Sequence, residues 1–206
     1  NLLSLLAFFI YLNVTMGDKM NKNIFRQTQI KRLNQIDITS KRAKEALILE
    51  SFFDQHEVKN ARKLAITMSH GFELDTAPII QRLIENGKCV YVPRTLPERQ
   101  MEFVEYNLNT PMQPKFQGIL EPVGGNVVRP EALDLIIVPG LAYEVSNGYR
   151  LGFGGGYYDR YLKKTPASKI VLAFSEQIYS DPQWDVEPFD VPLEKIITEE
   201  GVQFER

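Results

Sequence analysis

Five short apolar runs constrain the fold more than any other feature of the chain. They are Lys63–Met68 (KLAITM), Cys89–Pro93 (CVYVP), Leu133–Val138 (LDLIIV), Lys169–Phe174 (KIVLAF) and Lys195–Thr198 (KIIT). Their apolar residues run on without strict alternation, as in strands covered on both faces. Helical patterns separate several of them. Such a series predicts a three-layer α/β/α domain built on a mostly parallel sheet of Rossmann-like topology. A chain of 206 residues buries enough surface to hold that core without staples.

The helical patterns are read from periodicity and caps. Asn21 to Ile36 carries Ile24, Phe25, Leu33 and Ile36 among polar and basic residues. Thr39 or Ser40 is the expected cap of a second helix, whose Ala46, Leu49 and Phe53 form the expected buried stripe. Asp75 is placed to cap a third, with Pro78 in its first turn and Gly87 beyond its end. Met101–Asn107 alternates like an edge strand. Thr110 to Arg129 is rich in proline and glycine and reads as loop, and Tyr157 to Lys164 reads as a short helix.

Charge and cysteine content exclude some classes. The net charge is −2, which argues against a strongly basic nucleic-acid binder. A single cysteine, Cys89, allows no internal disulfide and points to a reducing, cytoplasmic setting; mid-strand, it is expected to be a small core residue. Charge is segregated, with 11 basic and 5 acidic residues over 19–63, against 2 basic and 9 acidic over 176–206. That asymmetry suits two solvated faces, or a site with a basic anion-binding side and an acidic metal-binding side.

The first residues differ from the rest. Leu2 to Leu12 is apolar except for Ser4. The run is too short to span a bilayer, and it lacks the basic start and small-residue cleavage site of a signal peptide. Residues 1–19 are expected to lie outside the fold, leaving 20–206 as the working domain. An anchor or an extra packed helix are the alternatives. No membrane association is expected.

The densest signal is RLGFGGGYYDR, Arg150 to Arg160. Four glycines in five positions just before a helix let backbone amides point at an anion, and a helix N-terminus adds partial positive charge. Arg150 and Arg160 flank the loop, and Asp159 is placed to hold Mg2+. No Lys-Ser/Thr follows the glycines, so this is no Walker A loop, and the spacing fails the dinucleotide fingerprint. The residues alone leave two readings open: a phosphate cradle, or a tight strand-to-helix crossing that needs glycine for packing.

This segment, preceded by LDLIIVPGLAYEVSNGY, resembles the signature of the 5-formyltetrahydrofolate cyclo-ligases, also called methenyltetrahydrofolate synthetases. The similarity extends from about Lys22 to Thr198. It takes in the Lys22/Arg26 pair, the ITMSHGFELDT segment, the YVPRT strand end, Glu121-Pro122 and the PFDVP segment. It implies an enzyme that uses ATP to phosphorylate the formyl oxygen of 5-formyltetrahydrofolate and closes the ring to 5,10-methenyltetrahydrofolate.

The resemblance also implies residue roles. Lys22, Arg26 and the loop Arg150, Leu151, Gly152, Phe153, Gly154, Gly155, Gly156, Tyr157 and Tyr158 would bind ATP. Met68, Glu73 and Phe153 to Tyr157 would border the folate. Asp159 and Asp190 would hold Mg2+, and Arg150 and Tyr157 would serve the catalytic step. Phe116 stands where the family often carries an aromatic over the pterin. Arg94 suits either a phosphate or substrate carboxylate, or a local ion pair. Glu144 departs from the aspartate of many members, and Phe153 from their tyrosine or arginine. The expected partners are the reduced folate and ATP, with the protein a monomer. A non-catalytic folate- or nucleotide-binding module on the same scaffold is the alternative.

Overall fold

The computed structural model describes residues 21–115 and 118–206. The apolar run at the start and Phe116 lie outside them. Among the described residues, three helices, α1 (Lys22–Asn34), α2 (Ile38–Asp54) and α3 (His56–Asn60), precede the first strand, β1 (Lys63–Ala65). Helix α4 (Ala77–Glu85) leads to β2 (Cys89–Leu96), which turns into β3 (Gln100–Tyr106). Short strands β4 (Met112–Pro114), β5 (Leu120–Pro122) and β6 (Val127–Val128) follow. Next come β7 (Leu135–Ile137), β8 (Ala142–Glu144), β9 (Arg150–Leu151), α5 (Tyr157–Leu162) and β10 (Ser168–Leu172). The chain ends with β11 (Ile178–Tyr179), β12 (Lys195–Thr198) and β13 (Gly201–Glu205).

The main sheet has the order β13-β12-β10-β7-β1-β2-β3-β6. Its five central strands are parallel, and antiparallel pairings of β13 and of β3 flank them. In chain order these five run 2-1-3-4-5, a doubly wound arrangement whose switch point lies between β1 and β7. Ligands of such sheets bind beyond the carboxyl ends of the strands at that point.

Strand alternation divides the core. Leu64, Leu135, Ile137, Ile170, Leu172 and Ile197 pack on one face with Leu33, Ile48, Phe52, Ile79 and Leu83 from the helices. Ala65, Ile136, Val171 and Ile196 face the other side, where Tyr161 and Leu162 of α5 and Phe103 of β3 cover them. Because successive side chains point to opposite faces, these strands need apolar residues at every position, and that accounts for the unbroken runs.

Several local expectations change. Asp37, not Thr39 or Ser40, caps α2, its carboxylate accepting from both of their backbone N–H groups at 3.0 Å. The buried stripe of α2 is Ile48 and Phe52, while Ala46 is exposed and Leu49 and Phe53 are half-buried. The segment is apolar around much of its circumference, so periodicity left the face ambiguous. In α1, Ile24 is exposed and the buried positions are Phe25, Gln29 and Leu33. Strand β3 is not an edge, because β6 pairs with it, and the presumed loop of 110–129 contains the β4–β5 hairpin. Cys89 is exposed rather than buried, because it sits at the start of β2 where the sheet cover ends.

A smaller aromatic cluster fastens α1 to the segment after β11. Phe25 stacks 5.8 Å from Trp184 and meets Tyr179 edge-on at 5.4 Å. Trp184 is fully buried. Gln29 reinforces the join, donating to the Glu176 carbonyl at 2.8 Å and accepting from the Tyr179 hydroxyl at 2.8 Å. The Trp184 indole N–H has no hydrogen-bond partner among the described residues, so the ring contributes by packing alone. Trp184→Ala should therefore lower stability by about 3–5 kcal/mol, and Trp184→Phe by clearly less. Urea denaturation followed by circular dichroism checks the order; equal losses would show that the indole does more than fill space.

Candidate functional site

Helix α1 and the glycine loop meet directly. The Arg26 Nε donates to the Gly152 carbonyl at 2.9 Å, and its Nη1 to the Asn23 side chain at 2.8 Å. The loop runs so close over the guanidinium that a Cβ at Gly154 would lie 3.4 Å from the Arg26 Cζ, at a φ of +97° that favours glycine. One turn earlier, Lys22 faces the acidic segment, with its ammonium 3.7 Å from Asp190 and 3.8 Å from Glu187. Asp190 also accepts the Glu187 N–H at 2.9 Å. Burial lowers the Arg26 pKa while Asp190 opposes the shift. The basic N-terminal segment and the acidic C-terminal segment therefore converge on the glycine loop.

Arg150 occupies the inner side of the same loop and is almost fully buried. Its guanidinium pairs with Asp159 at 2.9 Å, reaches the Pro139 carbonyl at 3.3 Å and lies 5.6 Å over the Tyr158 ring. Its Nε is buried without a partner among the described residues. A Cβ at Gly152 would come 2.7 Å from the Arg150 Nη1, so this glycine also serves packing. Both readings of the loop thus have physical content. Helix α5 is only six residues long, so anion binding here rests on loop amides and arginines more than on a helix dipole.

The switch point lies alongside. A cavity of about 40 Å³ is lined by Thr67, Ser69, Glu73, Pro139, Gly140 and Tyr143, among others. Glu73 accepts the His70 N–H at 2.7 Å, and burial raises its pKa. Ser69 and Thr76 lock this turn reciprocally: the Ser69 N–H donates to the Thr76 hydroxyl at 2.9 Å, and the Thr76 N–H to the Ser69 hydroxyl at 3.0 Å. Tyr143 is buried and Tyr158 half-buried with its hydroxyl enclosed, and burial raises both phenol pKa values, which keeps them as proton-bearing groups at neutral pH.

Asp159 and Asp190 carry carboxylate oxygens, the hard donors that Mg2+ takes. The described residues contain no cluster of three or more acidic, histidine or cysteine side chains arranged for a metal. Mg2+ commonly takes one or two carboxylates and completes its shell with phosphate and water, so this donor set fits a metal that arrives with a nucleotide. Each carboxylate is already matched to a cation, Asp159 to Arg150 and Asp190 to Lys22.

Other expected residues fall differently. Met68 packs against the helical core cluster, while Thr67 and Ser69 on either side of it line the cavity. Phe153 is largely exposed at the loop tip. Arg94 forms the local ion pair: it bonds Glu102 at 2.6 and 2.8 Å and the Gly124 carbonyl at 2.7 Å. His56 and His70 are exposed. Tyr143, Ser69, Thr76 and Gln177 were not foreseen as site residues. Ser69, Thr76 and Tyr143 lie inside the segments that carry the resemblance but without a role of their own, and Gln177 lies outside them; their placement follows from the loops beyond the parallel pair β1 and β7.

Comparison with known proteins identifies the family. Residues 18–199 match the model of the 5-formyltetrahydrofolate cyclo-ligase family. A mouse 5-formyltetrahydrofolate cyclo-ligase is 29% identical over 184 residues, covering 82% of this chain and 89% of its own length. The Haemophilus influenzae protein of the same name is 34% identical over 145 residues, covering 66% and 77%. The solved 5,10-methenyltetrahydrofolate synthetase of Aquifex aeolicus superposes with a TM-score of 0.80 at 28% identity, covering 91% of this chain and 94% of its own. With a glycine loop clasped between a basic helix and an acidic segment at the switch point of a doubly wound sheet, this chain belongs to the 5-formyltetrahydrofolate cyclo-ligase family.

Proposed function

We propose that the protein converts 5-formyltetrahydrofolate and ATP to 5,10-methenyltetrahydrofolate, ADP and phosphate, using the residues gathered at the glycine loop. The observation that carries this reading is the bond from Arg26 to the Gly152 carbonyl. It brings two cations of α1, the loop amides and Arg150 to one place, as phosphoryl transfer needs positioning and charge neutralisation rather than a side-chain nucleophile.

In this scheme Lys22 and Arg26 hold the ATP phosphates against the amides of Gly152 to Gly156. The formyl oxygen attacks the γ-phosphorus, and the bond to the ADP oxygen breaks. N10 then attacks the activated carbon and gives up its proton to the departing phosphate, and inorganic phosphate leaves with the former formyl oxygen. Arg150, held by Asp159 and the Pro139 carbonyl, stabilises charge on the transferring group. Tyr157 closes the loop over the reacting atoms. Glu73 accepts hydrogen bonds from the N–H edge of the pterin, whose ring lies beyond the ends of β1 and β7. Asp159 and Asp190 would hold Mg2+, which neutralises phosphate charge when bound.

A monomer is the oligomeric state proposed. The exposed thiol of Cys89 suits a reducing cytoplasm. Among the described residues no helix is long and apolar enough to cross a membrane. A binding module without turnover is the competing reading.

Incubation with 5-formyltetrahydrofolate, ATP and Mg2+ should generate the near-ultraviolet absorbance of the methenyl product. Tight folate binding with no product from folded protein would favour the binding module. Arg26→Gln should raise the KM for ATP about tenfold or more, with a thermal melt close to that of the parent. Asp159→Asn should cut kcat and also lower the melting temperature, because it leaves the buried Arg150 without its carboxylate partner; turnover partly restored at raised Mg2+ would mark the metal role, and unchanged turnover would remove Asp159 from the metal site.

Glu73 generates a pH signature. Its raised pKa means that the carboxylate form is lost on acidification at a pH above the ordinary glutamate midpoint. The KM for the folate should therefore climb as pH falls through that range. Glu73→Gln should raise the KM at neutral pH and flatten its dependence on acid. A pH profile of folate KM identical in both proteins would exclude Glu73 from substrate contact.

A further inference from the structure

The turn that holds Arg150 is itself held from outside. Pro139 and Gly140 follow β7 and line the switch-point cavity. The Pro139 carbonyl accepts from the Arg150 Nη1 at 3.3 Å. The next carbonyl along the chain, that of Gly140, accepts from the Gln177 side chain at 3.0 Å, and the Leu141 carbonyl from the same amide at 3.4 Å. Gly140 has no room for a side chain, since a Cβ there would lie 3.0 Å from the Tyr143 hydroxyl and 3.2 Å from the Leu151 carbonyl. Glycine has the freest backbone torsions of any residue, so a turn built on it is fixed only by what grips it.

Gln177 supplies that grip. It is only 5% exposed and ends the single turn Ser175–Gln177 that follows β10. Its Oε1 accepts the Phe174 N–H at 2.9 Å. A backbone N–H can only donate, so this bond fixes the orientation of the amide and aims its NH2 at Gly140. Strands β7 and β10 are neighbours in the sheet, and the side chain bridges the segments beyond their carboxyl ends like one more rung. The frame behind it is tied at several points. Lys44 of α2 pairs with both Glu176 and Glu199, and Gln29 of α1 donates to the Glu176 carbonyl.

We propose that Gln177 is a positioning residue for phosphoryl transfer: by holding the Gly140 carbonyl it sets the Pro139 carbonyl, and through it the Arg150 guanidinium, toward the transferring group. The inference rests on the reaction proposed above, in which Arg150 stabilises charge on that group. Arg150 keeps its charge whatever occupies position 177, so Gln177 contributes aim alone. A misplacement of about 1 Å costs such a step on the order of a hundredfold in rate. Lys22 and Arg26 stand outside this chain of contacts, so the affinity for ATP does not depend on it.

Gln177→Glu tests the direction of the bond. The isosteric carboxylate keeps the bond from Phe174 but repels the Gly140 carbonyl; once protonated, it donates to that carbonyl as the amide did. Burial holds the introduced carboxyl above the ordinary glutamate range. Glu73, in the lining of the same cavity, pushes it the same way, Arg150 beyond Pro139 opposes them, and Glu176 and Glu199 are matched by Lys44. At neutral pH and saturating substrates this variant should show a kcat about tenfold to a hundredfold below the parent, with the KM for ATP little changed. The gap should narrow as pH falls. Gln177→Leu, which lacks both bonds, should lose kcat to a similar extent at every pH.

Arg150 is followed directly by the nitrogen–proton NMR signal of its Nε, identified by its absence in Arg150→Lys. The signal should shift in both Gln177 variants and return toward the parent position on acidification in Gln177→Glu alone. A signal unmoved in both variants, a moved signal with kcat equal to the parent's, or a kcat loss in Gln177→Glu that acid does not narrow would overturn the assignment and leave the reaction standing. No turnover by the folded parent would remove the reaction, and the signal by itself would then decide whether Gln177 aims Arg150.

Discussion

The hydrogen bond from the Arg26 guanidinium to the Gly152 carbonyl joins residues 126 apart in sequence and ties α1 directly to the proposed site. It sets the distance between a helix that is outside the sheet and a loop that hangs beyond it. The aromatic packing of Phe25 on Trp184 and Tyr179 supports that contact from behind, and the Lys22–Asp190 pair closes it in front. A guanidinium bonded at one nitrogen to a carbonyl still offers other N–H groups to a phosphate, so the same side chain serves architecture and ligand.

The doubly wound sheet explains why these pieces converge where they do. Strands β1 and β7 leave the sheet in opposite senses, and the gap between their carboxyl ends receives Glu73 from one crossover and Arg150 and Tyr143 from the other. Burying Arg150 is tolerable because Asp159, the Pro139 carbonyl and the Tyr158 face surround it; an unpaired charge there would carry a heavy desolvation penalty. At the far end of the sheet a similar solution holds Lys195 buried between Glu57 and Glu205, where it serves the fold alone.

Much of this was legible in residue order. The apolar runs announced strands covered on both faces, and the glycine loop read as a candidate anion cradle, while the family resemblance pointed to Lys22, Arg26 and the acidic C-terminal segment. What escaped was set by tertiary context. The face that α2 buries was undecidable because apolar residues surround much of the helix. Cys89 read as core by residue type, yet its position at the first residue of a strand exposes it. Gln29 occupies a core-facing position that periodicity assigns to apolar residues, and only its two bonds across the chain, to Glu176 and Tyr179, make that position acceptable. The pairing of Ser69 with Thr76 likewise depends on a turn that no motif announces.

Helix α1 owns no strand and adds nothing to the sheet's hydrogen-bonded ladder. Its docking relies on one aromatic cluster, the bonds of Gln29, the reach of Arg26 and the core contacts of Leu33. Such an element can detach at lower free energy than the sheet needs to unfold. A nucleotide held between α1 and the loop would bind only the docked form, so its binding energy would accrue to that one joint. The nucleotide would then act as a fastener for α1, and the breathing of that helix would set how fast the nucleotide comes and goes.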